Sequence, residues 1–324
     1  MAENTFRSYL FSKDTQTTKN YIQPNPSGES LVQILNDCLF ASVNVAQELP
    51  MDIHPVSVIN SIKNIIGDDR TNPSVLLLEF CIDYLSEFQF RETDQEKLDG
   101  ASREGLGLTA FLGDLEDACQ QGKWDEAELM TAKTFLASDR SRGVMDALCE
   151  LALQDSLHNS LFIFHILRAY QFQEAKDDNW TYTTCVFDWI RQRPLPDPHD
   201  EESIEPDYIL EDVVNGGDLI WFAAVKRLWE GDYVRIRGFR RELSFALNQF
   251  MMVDTSQTDQ YKNDVDFNDP LLFIHSAEKL VSTKQSKLNI GNQLVNLESI
   301  RAMSRVVSSQ QIHVLGPRLN QLIT

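Results

Sequence analysis

The chain has 324 residues, enough for one large domain or two ordinary ones, and 42% hydrophobic content places it with globular rather than disordered chains. Twenty-nine basic residues against 49 acidic ones leave a net charge of −20, which repels phosphate backbones and anionic lipid and argues against nucleic acid and membrane partners. No apolar run approaches the roughly 20 residues that span a bilayer, and Met1 to Arg7 lack the basic and apolar regions of a signal peptide.

Apolar spacing is helical throughout, which predicts an all-α fold. Residues 1–27 read as a polar N-terminal segment, and 28–324 as a single helical domain. The turn Pro24-Asn-Pro26-Ser-Gly28 launches a helix to about Gln47, and Pro55 opens a second with Val56, Ile59, Ile62 and Ile66 on its face. Asn72-Pro73-Ser74 caps a third that runs to about Phe90, and the charged stretch 91–103 reads as a surface loop. Antiparallel hairpins follow: a helix ending at Gln120-Gln-Gly122, then helices over 125–137, 141–154, 157–174 and 180–191. The block 192–212 is rich in proline and carboxylates and reads as a solvated acidic linker. Beyond it come helices over 218–229, 233–253, one capped by Asp269-Pro270, and a last long one over 292–309. The expected architecture is therefore antiparallel hairpins forming one multi-helix bundle.

Cys38, Cys81, Cys119, Cys149 and Cys185 are odd in number, widely spaced and set among apolar neighbours. That pattern suits reduced, buried thiols in a cytoplasmic protein better than a disulfide framework or a zinc site.

Two histidines interrupt apolar helical runs in similar wording: Leu161-Phe-Ile-Phe-His165-Ile-Leu-Arg168 and Leu271-Leu-Phe-Ile-His275-Ser-Ala-Glu278. An imidazole in such a run needs a partner, a ligand or a cavity, because an unpaired buried polar group costs about 1–3 kcal/mol. Gly122-Lys-Trp124 precedes His165 by 43 residues, and Gly231-Asp-Tyr233 precedes His275 by 44. The offset suggests a pseudo-twofold duplication, with repeat units over 105–191 and 213–285, that would aim both rings into one interhelical cavity. The simpler alternative is two unrelated core histidines, each satisfied locally.

Other motifs exclude more than they assign. None of the residues three before a histidine is glutamate, so the Glu-x-x-His pattern of carboxylate-bridged metal bundles is absent. His158 lies two turns from His165, a poor separation for sharing a metal, and no metal site is expected. Gly105-Leu-Gly107-Leu-Thr-Ala110 matches GxGxxA loosely but follows no strand, which argues against a dinucleotide fold. His54, just before Pro55, reads as a cap or a site residue, while His199 in the acidic block reads as solvated. Arg235, Arg237, Arg240 and Arg241, with Lys226 and Arg227, read as surface ion pairs first and as an anion pocket second.

The segment from His158 to Tyr170 and the segment Phe273-Ile-His275-Ser-Ala, with His54-Pro55 upstream, resemble the questin oxidase-like family over about residues 105–285. The resemblance implies an all-helical, NADPH-dependent oxygenase acting on a polycyclic aromatic substrate. On the residues themselves, the first expectation is a protein that binds a hydrophobic or aromatic small molecule. His165 and His275 would do proton chemistry, with His54, His158, Arg168 and Tyr170 contacting the ligand. The second is a non-catalytic helical-repeat scaffold for protein partners.

Overall fold

The computed structural model describes residues 5–47, 51–105, 111–173, 175–200, 203–250, 265–309 and 311–323. Among them no sheet forms; the one extended contact is an isolated antiparallel bridge between Val45 and Phe90. Seventeen α-helices follow in chain order among the described residues. The first six are α1 (Phe6–Phe11), α2 (Thr15–Tyr21), α3 (Gly28–Val43), α4 (Pro55–Ile66), α5 (Val75–Leu85) and α6 (Asp94–Glu104). Then come α7 (Leu112–Gln120), α8 (Trp124–Ala137), α9 (Gly143–Ala152), α10 (Ser156–Phe172), α11 (Asn179–Ile190) and α12 (Pro206–Gly216). The chain closes with α13 (Leu219–Trp229), α14 (Ile236–Phe250), α15 (Leu272–Val281), α16 (Lys287–Ser304) and α17 (Ile312–Ile323).

The helix starts follow local chemistry. Ser74 accepts from the Leu77 amide and Ser286 from that of Asn289, while Asp218 accepts from both Ile220 and Trp221, each satisfying donors that a helix start leaves free. Pro55 sits at the first position of α4, where its missing N–H costs nothing. Four helices make the centre: α10 packs against α4 and α13, and α16 packs against the same two. Phe162, Ile163, Ile166 and Leu167 of α10 are buried, each stabilising the fold by about 1.5–3 kcal/mol relative to exposure.

The all-α expectation is met, and four local ones are corrected. The N-terminal segment is not simply polar tail: α1 and α2 bury Phe6, Leu10 and Thr18, and Arg7 pairs with Asp37 and Asp178. The stretch 91–103 is not a surface loop. The Arg91 side chain is 7% exposed and paired with Asp94 at 2.9 Å and Asp188 at 3.7 Å, and α6 follows it. The acidic block is only partly linker, since Pro206 starts α12, which buries Ile209, Val213 and Val214. His199 is not solvated: it stacks on Phe245 at 3.6 Å and bonds Glu242 at 2.7 Å. Helix α17 was not foreseen. Residues 106–110 of the GxGxxA match, Glu174 and the expected helix end at Val253 lie outside the described residues.

Candidate functional site

The C-terminal ends of α4, α10, α13 and α16 converge, with α3 as a further wall, around a cleft of about 910 Å³. Each helix end carries roughly half a negative charge, so cations gather there. Lys63, Arg227 and Arg301 lie in the last turns of α4, α13 and α16. Arg70, Arg168 and Arg305 join them, giving six cations against Asp68, Glu230, Asp232 and Glu298. In a chain of net charge −20 this is a local reversal of sign. Phe164, Phe172, Leu31, Val32 and Leu35 supply apolar wall.

The floor is an ion network in which the buried Arg227 Nη2 is the one nitrogen of that guanidinium without a partner among the described residues. Glu298 is 1% exposed and accepts from Arg227 at 2.7 Å and Asn64 at 3.0 Å, with Arg301 at 3.8 Å. Burial alone would push its carboxyl up; Arg227 beside it more than offsets this, and the carboxyl sits at about 2. Arg301 and Arg305 both reach Asp68, at 2.7 and 2.6 Å. The Arg227 guanidinium also lies 3.9 Å from the centre of the Phe164 ring.

Three rim cations are different. Lys63 has no hydrogen bond or ion pair among the described residues; its ammonium lies 4.7 Å from the centre of the Phe172 ring. Burial first, and then the Arg168 charge, hold that ammonium down to about 8. Among the described residues Arg70 has no hydrogen bond or ion pair either, and Arg168 donates only to the neutral Gln171 side chain, at 2.8 Å. These groups leave charge-assisted bonding capacity facing the cleft.

The two leading histidines are not brought together. His165 is fully buried on α10, and its Nδ1 lies 2.8 Å from the Asn60 amide nitrogen of α4. With Asn60 donating, the neutral ring keeps its proton on Nε2, which has no partner among the described residues. Burial pushes this imidazole down to about 3, so it is neutral at pH 7. His275 is exposed on α15, in a separate shallow pocket with Ser74 and Glu278. The single hollow lined by both rings is therefore corrected. Neither histidine lines the large cleft.

The supporting candidates also scatter. His54 caps α4: its Nδ1 accepts from the Val56 amide at 3.1 Å, Phe162 and Trp189 enclose its ring, and burial pushes it down to about 3. His158 is exposed and paired with Asp155 at 2.8 Å beside a small pocket at Trp189. Tyr170 is half-buried, edge-on to Tyr182 and under the Arg142 guanidinium. Of the six, Arg168 alone reaches the cleft. In the arginine cluster, Arg235 pairs with Glu116 and Glu150, and Arg241 with Glu150 and Glu242; the ion pairs are as expected, but they are not all at the surface, since Glu242 is buried. Arg227 goes inward.

Sequence reasoning missed Lys63, Arg70, Glu298 and Arg301. The available signal was a charged pair three apart, Glu298 and Arg301, inside a helix whose neighbours Leu294, Leu297 and Ile300 are apolar and buried. Comparison with protein-family models, with curated proteins and with solved structures finds no match.

Proposed function

We propose that this protein binds a small organic anion with an aromatic or hydrophobic body in the cleft at the ends of α4, α10, α13 and α16. The observation that carries the reading is three rim cations, Lys63, Arg70 and Arg168, without a carboxylate partner among the described residues of a strongly acidic chain. Guanidinium groups favour carboxylate and phosphate through paired, planar hydrogen bonds, and Phe172 with the α3 leucines suits an apolar body. NADPH, the reductant that the questin oxidase-like resemblance implies, carries phosphates and belongs to the same chemical class of occupant. Five buried thiols, none in a disulfide, support placing the protein in the reducing cytoplasm.

Isothermal titration calorimetry tests the reading with phenyl phosphate, phenol and NADPH. Phenyl phosphate is expected to bind and phenol to bind at least tenfold more weakly, with Arg168→Gln weakening phenyl phosphate about tenfold, the loss of one charge-assisted bond. Equal binding of phenol and phenyl phosphate sinks the anion reading. Binding of neither phosphate compound favours the non-catalytic scaffold.

A further inference from the structure

Among the six cations of the cleft, Lys63 is the one amine; the others are guanidinium groups, which stay charged and are poor nucleophiles. Its surroundings suit the neutral form. Arg168 faces it from α10, Arg301 and Glu298 from α16, and Arg70 follows on the chain beyond α4. The single carboxylate of that set, Glu298, already accepts from Arg227 and Asn64. Among the described residues Lys63 makes no hydrogen bond that holds the proton in place, and its apolar neighbour is the Phe172 ring. A desolvated lysine next to other cations is how proteins prepare an amine for attack on a carbonyl.

We infer that Lys63 is an imine-forming amine, which condenses with the carbonyl of a small aldehyde or ketone whose carboxylate or phosphate is held by Arg70 and Arg168. This rests on the anion-binding reading of the same cleft. The Nζ lone pair adds to the carbonyl carbon and gives a carbinolamine. The carbonyl oxygen then leaves as water, taking both amine hydrogens, and a C=N bond remains. Nothing is oxidised or reduced, so no co-reactant is required. With the ammonium held down to about 8 rather than at its ordinary 10.5, about a tenth is free amine at pH 7 and about half at the pH 8 of the test.

The test uses phenylglyoxylate, an aromatic 2-oxo acid, with sodium cyanoborohydride at pH 8, followed by peptide mass mapping. The expected result is a reduced adduct on Lys63 formed at least tenfold faster than on exposed Lys123. The adduct disappears in Lys63→Arg, persists in Lys123→Arg, and is suppressed in the wild type by excess phenylacetate, which has the ring and carboxylate but no reactive carbonyl. Label spread evenly over the lysines, or unaffected by phenylacetate, overturns the inference. Calorimetry with phenylacetate separates the two ideas. Binding of phenylacetate without a Lys63 adduct removes the imine and leaves the anion site standing, whereas no binding removes both.

Discussion

His54, His165 and Glu298 are all buried, yet they respond to acid in different ranges. The two rings sit at about 3 when folded against an ordinary 6.5, so the unfolded chain binds more protons below 6.5. Their stabilisation is complete above about pH 6.5 and declines as pH falls, at about 1.4 kcal/mol per pH unit per ring, until the native rings protonate near 3. Urea unfolding at pH 6, 5 and 4.5 should therefore show His165→Leu losing stability less steeply than the wild type by about one ring's slope. An unchanged slope would mean that His165 is not a buried neutral ring. Glu298 works lower: its carboxyl falls from 4.5 to about 2, so its contribution is present above about pH 4.5 and is lost as pH drops through about 2. Glu298→Gln should cost about 3 kcal/mol at pH 7, because Arg227 and Arg301 would keep a buried charge with a neutral acceptor. Circular dichroism melts read that directly, and a loss under about 1 kcal/mol would show that the network relaxes around the change.

Two helix-glycine-aromatic turns that look alike in sequence rest on different physics at the element scale. Gly122, between α7 and α8, has φ of 68°, a left-handed conformation that a side chain resists. Gly231, between α13 and α14, needs no such conformation; a Cβ there would overlap the buried Tyr233 ring on the wall of the cleft. Gly122→Ala should cost about 1 kcal/mol and leave the cleft alone. Gly231→Ala should cost about 2 kcal/mol and also weaken phenyl phosphate binding, because Tyr233 must move. Equal effects of both on binding would contradict this division. The same pair shows what sequence could and could not carry. Caps at Ser74, Pro55 and Asp218, and the helical periods of α8, α10, α11 and α13, are local signals and were legible. Helix α6 was not, because its exposed, charged face hides a stripe of just Leu98 and Ala101 packed inward behind Asp94. The cleft was not legible either, since its cations come from four separate stretches of chain and no periodicity links Lys63 to Arg301.

For the whole molecule, charge acts in two opposed directions. With 49 acidic residues against 29 basic ones, self-repulsion of the surface weakens the fold at low ionic strength. Salt screens it, since the Debye length shrinks from about 30 Å at 0.01 M to about 10 Å at 0.1 M. The melting temperature should rise by a few degrees over that range while affinity for phenyl phosphate falls. A scanning calorimeter and a titration calorimeter, run on the same samples, check both signs. Parallel trends would locate the anion outside the cationic cleft.

The cleft draws its walls from α3, α4, α10, α13 and α16, spanning from Leu31 to Val306 in the chain. A nascent polypeptide released only through α15 would thus carry most of the core and none of Glu298, Arg301 or Arg305. If the cleft takes the proposed anion, ligand competence arrives late in synthesis, once α16 supplies the floor. An occupant at a hundred times its dissociation constant would add about 2.7 kcal/mol to the finished chain and nothing to the shorter ones.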